Sequence, residues 1–337
     1  MSITEHHLVE RIRNQSLASL PKRRSGAGSV LVGIGDDCAV LDIPSGHETL
    51  VTTDFSLEGI HFRREWHSPD TIGHRCLTRG LSDIAAMGGE PVAAFLSLAV
   101  PAETPQRWID QFIAGMLHLA KRFGVTLAGG DIAQSPNGVL ADICVVGSVP
   151  AGKAILRSGA RPGDRIFVTG ELGAPIALLE EMFAVPKRKF RPASYPAHFY
   201  PQPQVEVGRY LREKGIPSAM IDISDGLSTD LARICEESGV GAVISANAVP
   251  VASLGRHEVD LRHALHGGDE YQLLFTAPLK RRVPNVIAGV PVTLIGYIDE
   301  SGELAIEHEN GYTTELEPEG WEHFSAGAKS KVRTTRK

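Results

Sequence analysis

The sequence predicts an α/β or α+β protein of two domains, with the boundary near residue 150. Two observations carry this. Apolar runs stay at strand length, as in Val92 to Pro101, and alternate with segments of helical period. Glycine pairs and prolines punctuate the alternation where elements must end. No internal repeat of fixed period is present.

In order along the chain, Glu5 to Leu20 has helical spacing through Leu8 and Ile12, extended by Leu17 and Leu20. Pro21 to Gly28 is basic and glycine-containing and reads as a mobile loop. Strands are expected at Val30 to Ile34 and Leu50 to Thr53. Thr71 to Met87 carries Ile72, Leu77, Leu81 and Ile84 at helical spacing, and Gly88-Gly89 supplies its C-terminal stop. Ala93 to Val100 is β-like, Pro105 to Phe123 helical, and Val139 to Val149 a strand closing the first half. Lys153 to Asp164 is a loop with Pro162-Gly163-Asp164 turn chemistry, followed by a strand at Arg165 to Thr169. Residues 186–204 hold five prolines and four basic residues and read as a long surface loop. Ala219 to Asp222 is a short strand that delivers Asp222. A helix from near Gly226 has Leu227, Leu231 and Ile234 on one face and stops at Gly239. Tyr271 to Phe275 and Val292 to Ile295 are further strands. Residues 151–325 thus make the second domain, and 326–337 form a basic tail with five cations and no acid, expected to be disordered.

Composition narrows the function. The 337 residues, 42% hydrophobic and 22% charged, are those of a soluble globular protein. A formal charge of −6 argues against a general nucleic-acid binder or a basic membrane-surface protein. Cys38, Cys76, Cys144 and Cys235 are widely spaced, with no zinc pattern, and read as buried residues of a reducing compartment. No secretory signal and no membrane span is visible in this sequence, so the cytoplasm is expected.

Seven aspartates sit in short stretches that follow or lie within apolar runs: Gly33-Ile34-Gly35-Asp36-Asp37, Thr52-Thr53-Asp54, Ser82-Asp83, Gly129-Gly130-Asp131 and Asp222-Ile223-Ser224-Asp225-Gly226. These are strand ends and helix starts. Any one alone could be an ordinary turn or N-cap aspartate. Together they need a cation, because two bare carboxylates about 4 Å apart repel by roughly 4 kcal/mol at an effective dielectric near 20. Oxygen ligands with little His or Cys among them select Mg²⁺, and magnesium points to phosphates. The usual phosphate loops are missing. There is no G-x-x-x-x-G-K-[ST], no H-R-D or D-F-G, and Gly33-Ile34-Gly35 lacks the third glycine of a dinucleotide fingerprint. What remains is phosphoryl chemistry organised by acids and metal ions.

With these segments in hand the chain resembles the thiamine-monophosphate kinase family, within the superfamily built like aminoimidazole-ribonucleotide synthetase. The likeness runs from about Gly33 to Phe324. Its ordered motifs are Gly33-Ile34-Gly35-Asp36-Asp37-Cys38-Ala39, Thr52-Thr53-Asp54, Glu58-Gly59-Ile60-His61-Phe62 and Leu81-Ser82-Asp83-Ile84-Ala85-Ala86-Met87-Gly88. Beyond them come Gly129-Gly130-Asp131, Arg157-Ser158-Gly159-Ala160-Arg161-Pro162-Gly163-Asp164, Ile221-Asp222-Ile223-Ser224-Asp225-Gly226-Leu227 and Gly320-Trp321-Glu322-His323-Phe324.

The resemblance implies a homodimer whose N-terminal domains contribute strands to a joint β-barrel. It implies direct phosphoryl transfer from ATP to thiamine phosphate, giving thiamine diphosphate, with several Mg²⁺ ions. Matched by position, Asp37, Thr52, Thr53, Asp54, Asp83, Asp131, Asp222 and Asp225 correspond to magnesium ligands. Gly130, Asp131, Arg157 and Ser224 correspond to nucleotide positions, and His61, Asp269 and Trp321 to positions facing thiamine phosphate. No residue is assigned as covalent nucleophile or general base. The plainer readings are a surface Arg157, a satisfied core His61 and Trp321 as a C-terminal anchor. A guanidinium nevertheless suits polyphosphate, and an aromatic face suits a thiazolium.

Three departures stand out. Gly267-Gly268-Asp269-Glu270-Tyr271 reverses the two acids of the family pattern, moving the carboxylate by roughly one bond length. Gly80 replaces an asparagine, at a helix-propensity cost of about 1 kcal/mol relative to alanine. His198-Phe199-Tyr200-Pro201 lacks the arginine of the usual His-Leu-Arg-Pro. The rival readings are another ATP-dependent synthetase of the superfamily, or a non-catalytic nucleotide-binding regulator. A selenophosphate synthetase would carry a reactive cysteine in the glycine-rich N-terminal loop, and Gly26 to Gly28 has none.

Overall fold

A computed structural model describes residues 5–20, 28–255 and 258–324. Most of the expected Pro21 to Gly28 loop and the basic tail lie outside the described residues. Helix α1 (Glu5–Ala18) leads to a two-stranded antiparallel ribbon, β1 (Ser29–Val32) and β2 (Val40–Asp42). A four-stranded sheet follows, built from β3 (His47–Leu57), β4 (Glu90–Val100), β5 (Thr126–Gln134) and β6 (Leu140–Pro150) in the order β3-β6-β4-β5. Helix α2 (Pro69–Ala86) joins β3 to β4, and α3 (Gln106–Phe123) makes the crossover between the parallel strands β4 and β5. The sheet is open among the described residues, with β3 and β5 at its edges.

The second half forms a mixed sheet. It begins with β7 (Arg165–Thr169), α4 (Ala174–Ala184), α5 (Pro196–Phe199), α6 (Val205–Lys214), β8 (Ala219–Ile223) and α7 (Leu227–Ser238). It continues with β9 (Gly241–Ser245), α8 (Leu261–His266), β10 (Gln272–Ala277), β11 (Val286–Ile287), β12 (Val290–Asp299), β13 (Leu304–Glu307) and β14 (Thr313–Glu315). Its strand order is β14-β13-β9-β12-β7-β10-β8, with β11 paired to β12.

Strand period decides which residues face the core. On β6, Ala141, Ile143, Val145 and Val149 are buried beneath α2, whereas on β3 the alternate residues Val51, Thr53 and Phe55 are exposed. Thr52 and Asp54 point the other way, to the helix side. Helix α2 is buried along most of its length and packs on β3, β4, β6, α3 and α6, and also on β8 and β10 of the second sheet. One hydrophobic core therefore runs from Leu77 and Ile84 on α2 to Met220 and Phe275 in the second half.

Gly80 is explained by this packing. A Cβ there would lie 2.5 Å from Val145 Cγ2, so the helix seats on the sheet only with glycine at this position. Close approach offsets the propensity loss.

Residues 186–197 are exposed or half-buried, as a surface loop predicts, but the end of the segment, 198–204, is drawn into the protein. His198 and Phe199 are buried, and α2 supplies the donors that let the segment's carbonyls leave water. His74 Nε2 donates to Pro201 O at 2.8 Å, Thr78 Oγ1 to the same oxygen at 3.3 Å, and Arg75 Nη1 to His198 O. Tyr200 OH donates to Asp70 at 2.5 Å. Composition marks the prolines but not these distant partners.

Candidate active site

Helical spacing on α2 gathers the first set of groups. Arg75, Arg79 and Asp83 follow one another at i, i+4 and share one face. That face meets β3, where Thr52 Oγ1 donates to the Asp83 carboxylate. It also meets the end of β8, where Ser82 Oγ donates to Asp222 Oδ2 at 2.6 Å. Asp54 stands beside them, and its Oδ2 is buried with no hydrogen-bond partner.

This arrangement resists its own charge. Burial, and then the Asp83 charge, push Asp54 up to about 7, with Arg79 opposing. Burial raises Asp83 against the Thr52 hydroxyl and the Arg157 charge. Asp222 is raised well above the carboxylate range by burial and by Asp83. An orphaned carboxylate oxygen among buried acids whose pKa values are all raised fits a hard cation, whose charge would relieve their repulsion. Among the described residues no three His, Cys, Asp or Glu side chains form a ready-made cage. That suits magnesium, which commonly takes one or two carboxylates and completes its shell with water and phosphate.

The other expected ligands have different surroundings. Asp37 is exposed at the ribbon, its backbone N–H donating to Asp36 Oδ1 at 2.9 Å. Thr53 and Asp131 are exposed, and Asp131 Oδ1 accepts from Ile132 N–H at 2.9 Å. Gly130 before it has φ 146°, and a Cβ there would stand 1.9 Å from Leu96 O. Asp131 is in register with Ser97 of β4, whose other neighbour is Asp142 of β6. Sequence reasoning missed Asp142. Its signal was a lone acid inside the apolar strand Leu140 to Pro150, and its charge acts on Asp54.

The turn after β8 is held by a second missed acid. Asp230 is fully buried, and its Oδ2 accepts from the N–H groups of Ser224, Asp225 and Gly226 at 3.1, 3.1 and 3.2 Å. Burial raises Asp230 to about 6, against the attraction of Arg233. Asp225 is bonded to the same arginine at 2.6 Å. Its backbone carbonyl accepts from Trp321 N–H at 2.9 Å, which ties the C-terminal segment to the turn.

Trp321 is 45% exposed and meets His323 edge-on at 5.6 Å; His323 meets His61 at 5.7 Å. His61 Nδ1 accepts from Leu57 N–H at 2.9 Å. Burial, helped by the Arg79 charge, lowers His61 to about 3, so the ring is neutral at physiological pH. Arg157 is exposed in the loop before β7.

The reversed acids go separate ways. Asp269, at φ 63°, accepts from Arg75 at 2.7 Å, Arg79 at 3.0 Å and Tyr271 OH at 2.6 Å. Burial pushes its pKa up, but the two arginines outweigh that and hold it well below the usual carboxylate range. Glu270 turns inward, where its Oε1 accepts from Gly173 N–H at 2.6 Å beneath α4. Burial raises Glu270 well above the carboxylate range.

Residues 35–149 match the AIR synthase related protein N-terminal domain and 161–309 the corresponding C-terminal domain. The thiamine-monophosphate kinase of Salmonella typhimurium is 36% identical over 90% of this chain and 94% of its own length. This chain belongs to the thiamine-monophosphate kinase family. Among solved structures, the thiamine-monophosphate kinase of Stenotrophomonas maltophilia K279a superposes with a TM-score of 0.76 at 32% identity, covering 91% of this chain and 98% of that one. AaThiL complexed with AMPPCP and TMP gives 0.73 at 26% identity, covering 95% and 97%. The mixed α and β architecture is therefore that of thiamine-monophosphate kinases. Among the described residues no helix is long and apolar enough to cross a membrane.

Proposed function

We propose that this protein is a cytoplasmic, homodimeric thiamine-phosphate kinase that moves the γ-phosphoryl group of ATP directly onto thiamine phosphate, with magnesium. The observation that carries the reading is the buried, unpartnered Asp54 Oδ2 beside Asp83 and Asp222, with Arg79 acting both on Asp54 and on His61 of the His61, His323 and Trp321 ring group. The names of the family's relatives and the AMPPCP and TMP bound by AaThiL support the same substrates.

In this reading Asp37, Thr52, Thr53, Asp54, Asp83, Asp131, Asp222 and Asp225 hold the ions. Bound magnesium supplies neutralisation of the phosphate charge. Gly130, Asp131, Arg157 and Ser224 hold the nucleotide. Gly130 lets the backbone approach, and Asp230 fixes the Ser224 turn. Trp321 offers its exposed face to the thiazolium, and neutral His61 adds no charge to repel it. A phosphate monoester oxygen is already ionised at neutral pH, so it can attack the γ-phosphorus without a general base. Turnover of thiamine phosphate with ATP chiral at the γ-phosphorus is expected to invert configuration. Absence of turnover would overturn the activity, and retention would overturn direct transfer.

The dimer reading rests on the outer face of the first sheet. Val51 and Phe55 on β3 are 64% and 56% exposed, and β3 and β5 leave open edges that strands of a second copy can continue. Light scattering is expected to give twice the chain mass of 36.2 kDa; a mass equal to one chain would overturn it.

A further inference from the structure

Arg79 sits between the two ends of the site. Its guanidinium lies in the fields of Asp54 on the carboxylate side and of Asp269 and Tyr271 on the aromatic side. Its side chain is 15% exposed, whereas Arg75 behind it is 5% exposed and committed to both Asp269 and His198 O. We propose that Arg79 binds the phosphate of the acceptor substrate, and that Asp269 acts by aiming Arg79 rather than by touching the acceptor's cationic ring. This rests on the thiamine-phosphate kinase reading and deepens it.

Three features carry the assignment. Asp269 is already engaged, its two carboxylate oxygens accepting from Arg75, Arg79 and Tyr271. Two guanidiniums share the one Asp269 carboxylate, and the other acid in the field of Arg79 is Asp54, which this reading gives to a metal ion, so the arginine charge is left for an anion. A guanidinium offers five N–H donors, and the structure records one hydrogen bond from Arg79, to Asp269 Oδ1 at 3.0 Å. Position then selects the anion. An acceptor with its thiazolium at Trp321 and its reacting oxygen toward Asp54 and Asp83 must carry its phosphate across the space between, where Arg79 lies.

The test compares thiamine phosphate with thiamine, which lacks the phosphate, by calorimetric titration in the presence of Mg²⁺ and a non-hydrolysable ATP analogue. The wild type is expected to prefer thiamine phosphate. Arg79→Gln, which keeps amide N–H donors but no charge, is expected to lose about ten- to a hundredfold of that preference. Arg79→Lys is expected to recover most of it. In steady state the KM for thiamine phosphate rises in Arg79→Gln while the KM for ATP stays within about twofold, a split that general destabilisation would not produce. Unchanged preference in a folded Arg79→Gln protein, or an equal rise in both KM values, overturns the role of Arg79 alone. A wild type that neither binds nor phosphorylates thiamine phosphate overturns the functional reading, and this inference with it.

Discussion

Asp54→Asn is expected to lower turnover at least about a hundredfold, the scale seen when a group that stabilises transition-state charge is removed, and to raise the melting temperature of the metal-free protein. The second effect follows from burial. Asp54 is pushed from 3.8 to about 7 in the folded state, a penalty on ionisation on the order of 4 kcal/mol. Below about pH 4 the carboxyl is protonated in both folded and unfolded chains and the penalty is absent. It grows as pH rises, because the folded protein holds the proton more tightly, and is complete above about 7. Metal-free wild type should therefore melt lower at pH 8 than at pH 5. Asn, carrying no charge, should flatten that difference and melt several degrees higher at pH 8. Adding Mg²⁺ with nucleotide should stabilise wild type more than the variant. Scanning calorimetry at the two pH values checks the sign. A variant that melts lower than wild type at pH 8 without metal would show that the oxygen is not an unsatisfied charge.

Asp230→Ala is expected to remove roughly 3 kcal/mol of stability and to weaken nucleotide binding together with it. One carboxylate oxygen serves three consecutive N–H groups, so truncation strands the donors of Ser224, Asp225 and Gly226 at once. It also frees Arg233, which is bonded to both Asp230 and Asp225. Denaturant unfolding gives the stability loss, and titration with an ATP analogue gives the affinity. A variant with wild-type stability would mean that the turn closes without its carboxylate.

The legible part of this molecule was the part written in local chemistry. The period of residues 71–87 gave α2, and Gly239 gave the end of α7. Helices α4 and α6 were missed, since Ala174–Ala184 is apolar on most sides and Val205–Lys214 follows a proline-rich stretch that masks its start. The burial of residues 198–201 was illegible because its cause lies on α2, more than a hundred positions away. The thiamine-monophosphate kinase motifs singled out Asp54, Asp83 and Asp222, which the fold does bring together. They did not single out Asp142, Asp230 or Arg79. Each of these lies in no motif and acquires meaning only from what it faces across a strand, a turn or a helix.

Helix α2 has a metric consequence. At 1.5 Å of rise per residue, Asp83 stands about 6 Å along the axis from Arg79 and about 12 Å from Arg75. The acid that meets β3 and β8 and the arginines that meet Asp269 are thus graduations on one rigid rod, buried against both sheets. Their separation is set by peptide geometry rather than by how the two halves are disposed. In a reaction where two phosphates must be brought into line, the molecule carries its own gauge for the distance between them.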